Sequence, residues 1–380
     1  MSQKSVLILA DGLPLMVNER SSNGITNLLR FLCKSDKYTN LFNTISLGFA
    51  NRKFFCREAR LVSRNQYSII YSSSSLFFLK SVYWIDLITN CTKADVIYLN
   101  LPFCSKTFLQ FLLLRLIYKN KVVFCTHSSF RSSRLSRLGP FKPVAIQVSR
   151  FLISGYHKII CDIAEKKDMI QHKICNSSNI DVVQNPCLLN ISNLSSLKDR
   201  KPRISMISRC HERKNLDAAF SSYLNSNVFN RGFTLHYYGE SNQYRKYLEK
   251  KYQAYLGKCI FLHSELKRND DFNAVLQSTA IVALPSLYEG DSILALDAVY
   301  SGCVFLVTDT SLGSVPPSLD TVFITPLNQI SEGIKKVVDY YISVDEDKYS
   351  DNVLQLSKDM HVRNENYIDN ICTALNIVKL

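Results

Sequence analysis

The 380-residue chain is 46% hydrophobic and 21% charged, proportions of a globular protein and not of a disordered one. No apolar run approaches the roughly 18 residues needed to cross a bilayer, and the length suits two or three domains with cores of their own. Of the net charge of +14, residues 1–190 carry +15 (25 Lys/Arg against 10 Asp/Glu) and the remainder −1, so the first half is expected to meet an anionic partner: a membrane surface, a lipid diphosphate or nucleic acid.

Residues 5–10 are too short for the apolar core of a secretion signal and read as a first buried strand, ending at Asp11. Ser21-Ser22-Asn23-Gly24 then precede an apolar-periodic helix over residues 25–33. Residues 95–99 and 121–125 have the unbroken apolar character of parallel strands buried on both faces. The greasy segment 108–118 between them, interrupted only by Gln110 and Arg115, reads as a crossover helix of the core. Strands over 158–161 and 180–183 continue the rhythm to Asn185-Pro186, and the Ser-, Asn- and Lys-rich residues 191–202 read as a linker. The pattern then restarts with strands at 204–207, 234–238, 259–262, 280–284 and 304–307, and helices at 216–223 and about 291–300. A charged helical stretch contains Asp345-Glu346-Asp347, read as solvated surface although its spacing is D-x-D.

Two such runs predict an α/β chain of two Rossmann-like domains, residues 1–190 and 203–360, facing across a cleft. A last helix over 361–380 is expected to pack back on the first domain. The twelve cysteines lie among apolar residues without a C-x-x-C pair, which suits buried thiols of a reducing cytoplasm. On that reading the sequons at Asn176 and Asn193 are incidental. The histidines show no metal-binding spacing, and no metal is expected.

The most informative segment runs from Pro285 through Ser286-Leu287-Tyr288-Glu289-Gly290-Asp291-Ser292 to Asp297. A buried strand stops at Pro285, a short loop offers a carboxylate and a glycine, and an apolar helix starts near Asp291 or Ser292. Glu289 and Asp297 are eight positions apart, on the order of 12 Å along a helix. Amides at the helix start would be open to bind oxygens between them. The segment resembles the E-x7-E element of retaining glycosyltransferases of the GT-B fold, of the family 4 (glycosyl transferases group 1) type, with Asp297 in place of the second Glu. Ser208-Arg209-Cys210-His211-Glu212-Arg213-Lys214-Asn215 resembles that family's Gly-Arg-…-Lys-Gly loop, with Ser208 and Asn215 replacing its glycines.

Residue by residue, the resemblance implies that Glu289 holds the hydroxyls of a donor sugar and Asp297 those of its ribose. Arg209 and Lys214 would clamp the donor diphosphate, whose developing charge such cations stabilise; Arg213 reads as a solvated capping charge. Amides of Gly290, Asp291, Ser292, Ile293 and Leu294 would face sugar or phosphate, Gly239 and residues 262–266 the base, and Gly24 the diphosphate. Thr308-Asp309-Thr310-Ser311-Leu312-Gly313 resembles the family's following Thr-Asp-x-x-Gly loop. His127, at the end of a strand, resembles the family's histidine beside the donor sugar.

Asp11 is a candidate acceptor-side residue, and the cluster Arg131, Arg134, Arg137 and Lys142 a candidate contact for a lipid diphosphate or an anionic membrane. These matches imply metal-independent transfer from a UDP- or GDP-linked sugar to a lipid-linked or oligosaccharide acceptor. The place would be the inner face of the cytoplasmic membrane, in O-antigen or other surface-polysaccharide assembly, with no nucleic-acid partner. A nucleotide-sugar 2-epimerase and a non-catalytic binding subunit are the rival readings.

Overall fold

The computed structural model describes residues 3–10, 24–50, 58–63, 66–72, 81–101, 103, 107–126, 129–130, 135–189, 195–266, 270–313, 315–317 and 319–376. The chain divides into two compact units: residues 1–184 with 365–380, and residues 185–364.

The first unit is built on strands β1 (Lys4–Ala10), β2 (Phe42–Ala50), β3 (Glu58–Ser63), β4 (Gln66–Ser72), β5 (Val96–Asn100), β6 (Val122–Cys125), β7 (Lys158–Cys161) and β8 (Ile180–Val182). They are ordered β3-β4-β2-β1-β5-β6-β7-β8, and all described pairs are parallel except β3 with β4. Every residue of β5 is buried, as a central parallel strand with both faces covered requires. Helices Ser81–Lys93, Phe108–Ile117 and Lys142–Ile153 pack Leu87, Phe111, Leu114 and Leu152 against Leu9, Ile97 and Phe124 of one sheet face. Tyr367, Ile371 and Leu375, near the end of helix Glu346–Asn376, are also buried, with the Tyr367 ring 6.1 Å from that of Phe31.

The second unit is a six-stranded parallel sheet of β9 (Lys201–Ile207), β10 (Thr234–Tyr238), β11 (Ile260–His263), β12 (Thr279–Leu284), β13 (Val304–Thr308) and β14 (Val322–Thr325), ordered β11-β10-β9-β12-β13-β14. Phe220, Tyr223, Ile334 and Val337, from helices Leu216–Ser226 and Ile330–Ser343, pack with Ile204, Leu235 and Ile281 in one core. Leu276, Leu296 and Val299, from helices Asp270–Ser278 and Ile293–Tyr300, pack with Val282, Leu284 and Phe305 in another. No helix among the described residues is long and apolar enough to cross a membrane, and none of the ten described cysteines forms a disulfide.

Three features differ from the expectations. The described part of the expected linker is packed into the second unit: Leu197 is fully buried, and Arg200 donates to the carbonyls of Leu276 (3.1 Å), Thr279 (3.3 Å) and Ser301 (2.5 Å). The chain crosses between units at 184/185 and 364/365, not at residues 190 and 360. Polar composition concealed the one leucine and one arginine that anchor this stretch. The last helix is one 31-residue element starting at Glu346, with no Gly or Pro inside it to stop it. Glu346 itself is no solvated charge, for its Oε1 accepts from the Ser196 hydroxyl (2.8 Å) and the Lys198 N–H (2.7 Å).

Candidate active site

Beginning at β9, the second unit runs to β10 and β11 on one side and to β12, β13 and β14 on the other. The crevice between β9 and β12 is therefore the topological switch point, where open parallel sheets receive ligands at the strands' carboxyl ends. β9 ends at Ile207 and opens into residues 208–215; β12 ends at Leu284 and opens into residues 285–292. Both sequence motifs thus emerge side by side at that crevice.

The two loops are bonded to each other. The Leu287 N–H donates to the Arg213 carbonyl at 2.9 Å, and the Lys214 ammonium donates to Glu289 Oε1. That ion pair is nearly enclosed, with side chains 13% and 10% exposed. Burial lowers the Lys214 pKa from its usual value; the Glu289 carboxylate works against this, and the charges of Arg213 and Arg209 add to it. Arg209 itself is exposed. Arg213 is less solvated than its loop position suggests: its guanidinium lies 5.4 Å from the centre of the Tyr288 ring and 4.0 Å from Glu289 Oε2. Three cations and one carboxylate therefore gather at the switch point, an arrangement suited to a polyanion with hydroxyls beside it.

Local backbone chemistry explains two departures from the family pattern. Asn215 adopts φ 55° and ψ 34°, a left-handed conformation that Asn tolerates better than most residues, so it serves where the family has glycine. Ser208 shows no such φ; its carbonyl accepts from the Tyr237 hydroxyl at 3.0 Å. A Cβ on Gly239 would lie 2.0 Å from that hydroxyl and 2.5 Å from the Ser208 carbonyl oxygen. Gly239 is thus fixed by close packing under the β9 loop.

The β12 loop is gripped from β13. The buried Ser286 carbonyl accepts hydroxyls from Thr308 (2.7 Å), Ser311 (2.9 Å) and Thr310 (3.4 Å). Gly313, at φ +61°, leaves room for the Gly290 carbonyl, which a Cβ would approach to 2.8 Å. Ser292 caps helix Ile293–Tyr300 by accepting the Ala295 N–H at 3.3 Å. Residues 290–294 are half-buried at the mouth of this helix start.

The carboxylate of Asp297, assigned to the donor ribose, and that of Asp291, whose amide was assigned to the donor, are both engaged elsewhere. Asp297 is completely buried, and its Oδ1 accepts from the Leu188 N–H (3.0 Å) and the Cys187 thiol (3.4 Å). This corrects the ribose assignment: the Asp297 side chain fastens residues 187–188 to the helix. The Asp291 carboxylate accepts the Asn185 N–H at 2.7 Å and lies 3.8 Å from Arg363, while Arg363 donates to the Asn185 carbonyl at 2.7 Å. Asp291 therefore ties the β12 loop to residues 185 and 363, next to the two crossings between units.

Beside the crevice, His263 of β11 stacks on Tyr238 and His236 of β10, with ring centres 4.4 and 5.1 Å away. His236 Nδ1 and His263 Nε2 are 2.9 Å apart and share one hydrogen bond, with the His236 Nε2 3.0 Å from the Thr234 hydroxyl. Burial foremost, then the charge of Arg203, lowers the His236 pKa to about 4; His263 is lowered for the same reasons.

Of the first-half candidates, Asp11, His127, Arg131 and Arg134 lie outside the described residues, as does the Arg137 side chain. Gly24 opens the first helix and Lys142 is half-buried at the start of another. A residue not singled out from sequence is Glu165. Fully buried, it accepts from the Thr126 hydroxyl and, at 2.7 Å, from the Phe130 N–H, so it clamps both ends of the segment that carries His127. The available signal was Asp162-x-x-Glu165, whose helix-capping pattern the structure realises through Asp162 Oδ1 and the Glu165 N–H (2.7 Å). Among the described residues, no three or more His, Cys, Asp or Glu side chains gather to hold a metal ion.

Residues 201–341 match the family of glycosyl transferases group 1. That match lies wholly inside the second unit. Across both units the chain is similar to HepE from Anabaena, solved with UDP and glucose (TM-score 0.71, 14% identity, 99% of this chain and 100% of that one). It is also similar to sucrose-phosphate synthase from Thermosynechococcus elongatus (0.68, 13%, 99% and 97%) and to the E. coli trehalose-6-phosphate enzyme bound to UDP-2-fluoro glucose (0.68, 10%, 99% and 99%). At such identities the likeness establishes the fold, which is GT-B throughout. No curated protein matches the sequence. Arg209, Lys214, Gly239, Glu289 and the 290–294 helix start all fall within the matched residues.

Proposed function

We propose that the chain is a retaining glycosyltransferase that moves a sugar from a nucleoside-diphosphate donor to a lipid-linked glycan in surface-polysaccharide assembly. The observation that carries this is the Lys214–Glu289 pair, held between the two switch-point loops with Arg209 beside it. An incoming diphosphate takes Lys214 and Arg209, leaving Glu289 to accept the hydroxyls of the donor sugar. The bond from the anomeric carbon to the diphosphate oxygen breaks as an acceptor oxygen bonds to the same face. The acceptor proton passes to the leaving phosphate, whose charge settles against the two cations and the amides at the 290–294 helix start. UDP is the first nucleotide to test, because HepE and the trehalose-6-phosphate enzyme were solved with it or its sugar. His127 belongs to this reading as the group beside the donor sugar, and the basic first half as the side that meets a membrane-borne acceptor.

A thermal-shift panel of UDP, GDP, dTDP and CMP, each alone and as its sugar, tests the site. The expected result is stabilisation by one diphosphate, followed by slow hydrolysis of its sugar when no acceptor is present. Stabilisation without turnover would favour a binding subunit, and interconversion of sugars an epimerase. The charge is met by side chains and amides, so EDTA should leave turnover unchanged; loss restored by Mn or Mg would contradict the metal-free reaction.

A further inference from the structure

Helix Phe108–Ile117 buries Gln110, Phe111 and Leu114 and turns the opposite half of its surface outward. That outward half carries Phe108, Leu109, Leu116 and Ile117, with Leu112 and Leu113 half-buried between them and the core. Leu116 is 66% exposed and Ile117 60%. The neighbouring helix Lys142–Ile153 and the residue before it do the same, with Phe141 at 71%, Val144 at 61% and Phe151 at 54%. These last three recur at helical spacing on one side, where a water-facing helix would carry charges.

The two helices are locked together at their seam. Arg115 Nε donates to the Phe151 carbonyl at 2.8 Å, and its guanidinium lies 5.9 Å from the centre of the Phe151 ring. Gly155 leaves the space the guanidinium fills, since a Cβ there would come within 1.8 Å of it. The outward apolar residues thus sit together on one braced two-helix surface and are not scattered singly.

The stretch of chain that carries this surface has charges of one sign. Residues 96–161 contain ten Lys/Arg and no Asp or Glu. Lys119 follows Ile117 closely, and Lys142 is next to Phe141. An apolar face on a stretch whose only charges are cations fits the boundary of an anionic bilayer, where the apolar chains enter the acyl region and the cations meet headgroup phosphates. A second copy of the chain fits poorly, because a two-fold pairing of this face brings like charges together. Nucleic acid fits poorly too, since Leu, Ile and Val offer its bases no stacking surface.

We propose that the paired outer faces of helices Phe108–Ile117 and Lys142–Ile153 are the surface by which the protein docks on an anionic lipid bilayer. The purpose assigned to it rests on the membrane-borne acceptor proposed above, but the docking itself is measured without turnover. Failure of one reading therefore leaves the other standing.

The experiment is co-sedimentation of the full chain with phosphatidylcholine vesicles, with and without phosphatidylglycerol, at low and high salt. Binding is expected only with phosphatidylglycerol, and weaker as salt rises. The triple variant Leu116→Ser, Phe141→Ser, Val144→Ser should lose about tenfold or more of that binding while keeping its melting temperature and its response to UDP. A second readout does not depend on that variant's folding. Phe141→Trp should shift its emission to the blue on adding phosphatidylglycerol vesicles, and not with phosphatidylcholine alone. Serine variants that sediment like the parent, or an unshifted Trp emission, would overturn the proposal. So would a parent that dimerises in solution through this face and falls to monomer in the triple variant.

Discussion

Lys214 is held at the switch point by one carboxylate and surrounded by cations, so its protonation depends on what else enters the site. Burial lowers its pKa below that of a free lysine. A diphosphate needs the charged form, so affinity for UDP should fall as pH rises through that lowered value, earlier than an ordinary lysine would cause. Lys214→Arg should move this loss out of the accessible range; titration calorimetry against pH reads both, and identical profiles would remove Lys214 from the phosphate site. Glu289→Ala should cost about 2–4 kcal/mol in kcat/KM, on the order of a hundredfold, and near-normal turnover would undo the site. Both residues were legible in sequence because each sits at a fixed distance from a strand end. Asp297 misled because spacing says which residue follows, not where its side chain turns. One methylene shorter than Glu, its Oδ1 accepts the Leu188 N–H inside the domain.

At the scale of elements, the stacked β10–β11 rings make the sheet edge sensitive to acid. The unfolded chain protonates His236 below about pH 6.5, the native chain only near 4. Its contribution to stability is therefore present above pH 6.5 and is lost as pH falls toward 4. Urea midpoints at neutral and acid pH should diverge in the parent and converge in His236→Phe, which retains the ring but not the proton; an unchanged acid slope would show that other groups set it. Sequence reading found the strands with unbroken apolar runs, such as β5, β9 and β12. It passed over β2 and β4, where Asn43, Thr44, Ser46, Gln66 and Ser68 interrupt the run, and the four-residue β14. Polar residues between apolar ones look like loop when nothing in the sequence shows which sheet they join.

At the scale of the whole molecule, charge asymmetry and the doubled strand–helix rhythm were both visible in the sequence. The return of the chain to its first unit was visible only as a final helix, without the point of re-entry. That re-entry has a consequence for how the protein is made. Residues 185–364 form one contiguous stretch, whereas the first unit needs residues from beyond it, among them Tyr367, Ile371 and Leu375, at 5%, 1% and 0% exposure. Domains ordinarily fold in the order in which the ribosome delivers them. Here the later domain can finish first, while the strands of the earlier one wait, incompletely covered, until residue 375 has emerged. A nascent chain stalled shortly after residue 364 should therefore show protease resistance across 185–364 and cleavage within 1–184. Release of the remaining residues should protect both, and early protection of residues 1–184 would show that the first unit closes without its last helix. Until then the half-made protein leaves the core of its basic first unit incompletely covered, which makes that interval the one in which a chaperone or a membrane has the greatest chance to capture it.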